Sequence, residues 1–301
     1  MRSHAIRVVA LCLCLPASSM AGTSGAGPEP VPLVLHMDGR ITLAVRVNGA
    51  GPFRFRLDTG ASRTVIGTRL VTDLGLPPAG ESRTITQTGE TRRGLVHLKE
   101  LTVGEHLAVP DVTALVVDDR ALDPTRQIDG LLGQDVLSRW PFTIDYEAKR
   151  LTVDGPLDAP PVRTVRLPLA RVAGGLVALV PASRGHVPLR LVPDSGADRI
   201  VLFRSATDAL PPVTLIEAVR VRSITGDSLA RLVRLPDLDV GGIRLRDREG
   251  LLLDRQPADA AMGDGLLPLH LFALARFDVG AGYLELGEKR EQVAERASNL
   301  K

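Results

Sequence analysis

Two runs constrain this chain most: Phe55-Arg56-Leu57-Asp58-Thr59-Gly60-Ala61-Ser62 and Leu191-Val192-Pro193-Asp194-Ser195-Gly196-Ala197-Asp198. Each leads into Asp-Thr/Ser-Gly-Ala and is followed by a second apolar run, Thr64-Val65-Ile66 or Ile200-Val201-Leu202. A single Asp-Thr-Gly would read as an ordinary turn, its glycine supplying a backbone angle that other residues resist. Repetition changes the reading. The two aspartates lie 136 residues apart. Thr88-Gly89-Glu90 returns as Thr225-Gly226-Asp227, Leu101-Thr102-Val103-Gly104 as Leu238-Asp239-Val240-Gly241, and Asp129-Gly130-Leu131-Leu132 as Asp264-Gly265-Leu266-Leu267. Landmarks in one order at nearly one spacing mark an internal duplication, and two long copies imply two similar lobes rather than a solenoid of short repeats. One carboxylate per copy allows two carboxylates to meet across a pseudo-two-fold axis.

Around these landmarks the texture is that of strands and turns. Ile41, Leu43, Val45 and Val47 recur with period two, and Phe53, Phe55 and Leu57 carry the alternation up to Asp58. Asp38-Gly39 and Asn48-Gly49 are hairpin turns by composition. Similar alternation marks residues 113–117 and 142–153, whereas helical period is confined to 68–76, 134–139 and 269–275. The expected class is all-β with a few short helices. Pro156, Pro160 and Pro161 mark a link between the copies. The expected organisation is a signal peptide at 1–21, a flexible leader at 22–31 and a first lobe at 32–154. A linker at 155–163, a second lobe at 164–287 and a charged tail at 288–301 follow.

Residues 1–21 carry Arg2 and Arg7, an apolar stretch from Val8 to Leu15, and Ser19-Met20-Ala21 as a small-residue cleavage site. That apolar stretch is too short to span a bilayer, so the expectation is export to the periplasm or medium without a membrane anchor. Cleavage would remove Cys12 and Cys14, the only two cysteines. Thiol catalysis, a thiolate metal site and disulfides would then be excluded. It would also remove Arg2 and Arg7, leaving the 35 acidic residues balanced by as many basic ones. No basic field remains to suggest a nucleic-acid partner.

The repeated motif resembles that of the aspartic peptidases of the pepsin and retropepsin type, in a bacterial, exported, single-chain form. The likeness spans residues 34–287. Ala61 and Ala197 follow the retropepsin pattern, and Leu131-Leu132-Gly133 is similar to the family's hydrophobic-hydrophobic-Gly element. In the second copy Pro268 replaces that glycine, and Pro193 stands where an apolar strand residue is usual. The resemblance implies two tandem retropepsin-like β-barrel lobes with the active site between them. It implies endopeptidase activity on extended polypeptides and no cofactor. Both half-sites lie in one chain, so a monomer would suffice.

On that likeness, Asp58 and Asp194 would hold a water between them. Thr59 and Ser195 would cross-link the two loops through their hydroxyls, and Gly60 and Gly196 would admit the backbone and donate N–H bonds. Two adjacent carboxylates cannot both ionise easily. The ionised member is then a general base and the protonated one a general acid. Alanine at 61 and 197 withholds the hydroxyl that pepsin's serine donates, which should raise the carboxyl pKa values. A working range of about pH 4 to 6.5 is therefore expected.

Residues 85–90 and 223–227 match the position of the family's flaps, giving Thr88, Gly89, Thr225 and Gly226 as substrate-binding candidates on two equivalent hairpins. Neither contains a tyrosine; the two tyrosines are Tyr146 and Tyr283. The six histidines lack metal-ligand spacing, and no metal site is expected. Asp129 and Asp264 read as structural turns, and Trp140 as a core residue. The competing function is a catalytically inactive homologue that binds peptides, which Pro193 and Pro268 would favour by restricting the second loop.

Overall fold

The computed structural model describes residues 29–86, 89–155, 163–172, 175–181, 188–210, 212–223, 226–254, 263–290 and 292. The signal peptide, most of the leader and linker, and the end of the tail lie outside these residues, as do Thr88 and Thr225. Strands dominate, joined by a few short helices, in two tandem lobes of similar build.

Alternation builds the first lobe. In Ile41–Val47 the side chains of Leu43, Val45 and Val47 are buried while Ala44 and Arg46 are exposed. This strand pairs antiparallel with Ala50–Leu57, Leu43 facing Phe55. Asn48 and Gly49 both take positive φ, +50° and +82°, as a tight hairpin turn requires. Phe55 and Leu57 are fully buried, which sends Arg56 to the other face.

The core of each lobe is one arrangement used twice. Gly130–Leu132 runs parallel to Ala50–Leu57, pairing Phe55 with Gly130 and Leu57 with Leu132, and antiparallel to Val65–Gly67. Gly265–Pro268 likewise runs parallel to Leu189–Asp194 and antiparallel to Ile200–Phe203. The apolar triplet is thus clamped between the strand that enters each Asp loop and the strand that leaves it. A Cβ on Gly130 would lie 2.4 Å from the Phe55 ring, and one on Gly265 would lie 2.1 Å from the Val201 carbonyl oxygen. Only glycine allows that approach. Asp129 and Asp264 anchor these triplets as structural turns: Asp129 accepts from the Arg54 N–H at 2.9 Å and Asp264 from the Arg190 N–H at 2.8 Å.

The halves join in a central sheet. Phe142–Asp145 pairs antiparallel with Leu274–Asp278, and the Phe142 and Phe277 rings stack at 4.6 Å. Arg150–Val153 and Val31–Pro32 extend this sheet on one side, Tyr283–Gly287 and Thr164–Val172 on the other. The helices Thr68–Asp73 and Gln134–Leu137 lie within the expected segments. Residues 269–275 do not form one helix: Leu269–Leu271 is a single 3-10 turn, and Leu274 already belongs to the central sheet. Pairing across the joint overrides the local period there. Trp140 is half-buried at the rim of the core rather than enclosed. Among the described residues, no helix is long and apolar enough to cross a membrane.

Candidate active site

Both Asp loops project from the ends of buried strands and meet. The Thr59 N–H donates to Ser195 Oγ at 3.0 Å, and the Ser195 N–H donates to Thr59 Oγ1 at 2.9 Å. Each hydroxyl then donates across the joint, Thr59 Oγ1 to the Pro193 carbonyl and Ser195 Oγ to the Leu57 carbonyl, both at 2.8 Å. Thr59 and Ser195 are both buried. These four bonds tie the two loops together. Pro193 lies extended in its strand and takes part through its carbonyl, so its ring does not displace Asp194.

The tie sets the carboxylates face to face with the opposite loop. A Cβ on Gly60 would fall 2.6 Å from Asp194 Cγ, and one on Gly196 would fall 2.9 Å from Asp58 Cγ. Asp58 Oδ1 accepts the N–H groups of Gly60 and Ala61 at 3.1 and 3.0 Å. Asp194 Oδ1 accepts those of Gly196 and Ala197 at 2.7 and 3.1 Å. Each carboxylate is therefore held at one oxygen by its own loop.

Burial raises both carboxyls above the ordinary aspartate value. At Asp58 the neighbouring Arg56 charge and the two N–H bonds oppose the rise. Asp194 is pushed up to about 7, first by burial and then by the charge of Asp58. Two such groups can hold one proton between them near neutrality.

The two hairpins expected as flaps are present. Thr86 pairs with Gly89 across Pro78–Thr86 and Gly89–Val103, and Ser223 pairs with Gly226 across Thr214–Ser223 and Gly226–Arg234. Gly89 and Gly226 thus stand at equivalent ladder ends, while Thr88 and Thr225 fall outside the described residues. Among the described residues, no group of three or more His, Asp or Glu side chains is placed to hold a metal ion.

Several residues at the site carry no motif. Gln134 Nε2 donates to the Thr59 carbonyl at 3.0 Å, and Asp135 Oδ1 accepts from both the N–H and the hydroxyl of Thr64 at 2.8 Å. Their counterparts in the second copy, Leu269 and His270, do not repeat these bonds. Instead Arg40, from the first lobe, donates through Nε to the Gly196 carbonyl at 3.1 Å and pairs with Asp38 at 3.2 Å. The only signal for this asymmetry lay in the repeat itself, where Gln134-Asp135 aligns with Leu269-His270. The same holds for Arg56, which aligns with Val192. Tyr146 is buried with its hydroxyl unpaired among the described residues, and burial followed by the charge of Asp194 raises its pKa.

Pro268 replaces Gly133 for a local reason. The Gly133 N–H donates to Thr64 Oγ1 at 3.2 Å, and a Cβ there would lie 2.5 Å from the Arg63 backbone. In the second copy Ile200 stands at the position of Thr64, so no hydroxyl waits for an N–H that proline lacks.

A family model described as aspartyl protease matches residues 43–136 and 180–270, one segment in each lobe. Among solved structures, basic 7S globulin from soybean is similar at 12% identity with a TM-score of 0.47, covering 86% of this chain and 94% of that one. A retropepsin-like aspartic protease from Rickettsia conorii is similar at 23% identity with a TM-score of 0.33, covering 41% of this chain and 89% of that one. No curated protein matches the chain.

Proposed function

The chain belongs to the aspartyl protease family, and we propose that it is an endopeptidase in which Asp58 and Asp194 share one proton and activate a water between them. The observation that carries this reading is the reciprocal Thr59–Ser195 tie, which turns each carboxylate toward the glycine of the opposite loop. A structural turn has no need for one buried and one half-buried carboxyl, both with raised pKa values.

In this reading the ionised carboxylate takes a proton from water as its oxygen attacks the peptide carbonyl carbon. The protonated carboxyl gives its proton to the carbonyl oxygen, forming a neutral tetrahedral diol. In the second half the first carboxyl returns its proton to the leaving nitrogen, and a diol hydroxyl re-protonates the second. The C–N bond breaks and the starting protonation state is restored. Gly60 and Gly196 hold the unreactive oxygens through their N–H groups, so the dyad is positioned before substrate arrives.

The substrate is an extended polypeptide lying under the two hairpins, held through backbone bonds as an added strand beside Gly89 and Gly226 at the ends of the paired ladders. One chain supplies both half-sites, so a monomer is enough. Residues 1–21 direct export, placing the enzyme in the periplasm or outside the cell.

The test is cleavage of an unstructured protein by the parent and by Asp58→Asn and Asp194→Asn. Cleavage by the parent alone, blocked by a statine-type transition-state analogue, supports the reading. Equal cleavage by either variant rejects the dyad, and no cleavage by the parent across pH 3 to 8 favours a peptide-binding role.

A further inference from the structure

Arg56 stands two residues before Asp58 on the strand Ala50–Leu57, and side chains alternate along a strand. Phe55 and Leu57 fill the core. Arg56 therefore leaves on the face that carries the Asp58 carboxyl, ~7 Å along the strand. It is half-buried, which limits screening by solvent. Among the described residues its guanidinium makes no hydrogen bond and no ion pair within 4 Å.

Arg40 opposes its charge, and Asp58, then Asp123 and Asp38, favour it. Asp38 pairs with Arg40 at 3.2 Å. Asp123 accepts the Thr125 hydroxyl and the Gln127 N–H, both at 2.7 Å. The groups that act on Asp58 are Arg56, Arg40, Asp194 and the N–H groups of Gly60 and Ala61. Of the two cations, Arg40 is tied to Asp38, to the Gly196 carbonyl and, at 4.0 Å, to Asp198. Arg56 acts on Asp58 more strongly than Arg40 does, and it shares its charge with Asp123 and Asp38. The second copy offers Asp194 no equivalent, because Val192 occupies that position.

We propose that Arg56 is a positioning residue for the proton: it holds Asp58 ionised as the base and leaves the shared proton on Asp194 as the acid. The two loops hold their carboxylates alike, each with two N–H groups on one oxygen, and Arg40 lowers both carboxyls, so neither feature chooses between them. A cation on one side makes the choice before substrate binds. This inference rests on the endopeptidase reading above only for its catalytic consequence; the charge asymmetry exists without it.

Two measurements test it. The first is kcat/KM against pH for the parent, Arg56→Met and Arg56→Lys. Loss of the cation should raise the acidic limb by about one pH unit, the scale of one charge at ~7 Å in a half-buried site, and lysine should bring it back. The second is the carboxyl carbon-13 titration of Asp58 in the same three proteins, which needs no activity. Its midpoint should move in the same direction and return with lysine. A parent that cleaves nothing while the titration shifts would reject the peptidase reading and keep this inference. An unmoved titration, or activity that falls equally at every pH in Arg56→Met, would overturn it.

Discussion

Thr59 and Ser195 each donate a backbone N–H to the other's side-chain hydroxyl, at 3.0 and 2.9 Å, although they lie 136 residues apart. Both are buried, so neither hydroxyl has water as a substitute partner. Thr59→Val keeps the shape and removes the oxygen, leaving the Ser195 N–H and the Pro193 carbonyl unpaired. The expected cost is about 2 to 4 kcal/mol from two unsatisfied buried groups, read by chemical denaturation, with activity lost beyond the unfolded fraction. A variant as stable as the parent would show that the tie contributes little.

The glycines after the hydroxyl residues leave no room for a side chain. Gly60→Ala would push a methyl to 2.6 Å from the Asp194 carboxyl, and Gly196→Ala to 2.9 Å from that of Asp58. Both variants are expected to fold with a loss of about 1 to 3 kcal/mol and to lose cleavage almost entirely. Retained activity in either, measured on an unstructured protein, would contradict the face-to-face geometry.

Stability should fall as pH rises. The Asp194 carboxyl is raised in the folded chain to about 7 from an ordinary 3.8, so the folded state holds its proton more tightly than the unfolded one. That contribution is complete below the ordinary value and is lost as pH passes through about 7. Urea denaturation from pH 4.5 to 8 should show a declining free energy in the parent and a shallower decline in Asp194→Asn. A parent curve that rises with pH would have the wrong sign.

Much of this was legible in the residues. The strand alternation before Asp58 and the Asn48-Gly49 turn are local signals, and each became the expected element, while the Gly-Leu-Leu triplets that marked the duplication each form a strand beside the Asp loop. What stayed hidden depends on contacts between distant segments. Nothing in the spacing tells that Arg40 reaches the Gly196 carbonyl, 156 residues on. Residues 269–275 carry a helical period, yet Leu274 pairs with Asp145 in the central sheet, because joining the two halves buries more than a short helix would. Arg56 read as one polar residue of an alternating strand; its proximity to Asp58 matters only because the strand is half-enclosed.

Exchange of Gly133 and Pro268 gives a further check on how far the two copies have diverged. Gly133→Pro removes the N–H bonded to Thr64 Oγ1 and forces atoms against the Arg63 backbone, at a cost of about 3 kcal/mol or more. Pro268→Gly loses only backbone restriction, about 1 kcal/mol or less. Thermal denaturation of the two variants should separate them clearly, and equal losses would mean that Ile200 does not release its loop from the need for glycine.

The most direct test of the shared-proton dyad is kcat/KM for an extended peptide from pH 2 to 9. A dyad raised by burial and lacking serine hydroxyls at 61 and 197 predicts a bell with its optimum between about pH 4 and 6.5 and an alkaline limb near 7. An optimum below about pH 3 would contradict it, as would a rate that keeps climbing above pH 8.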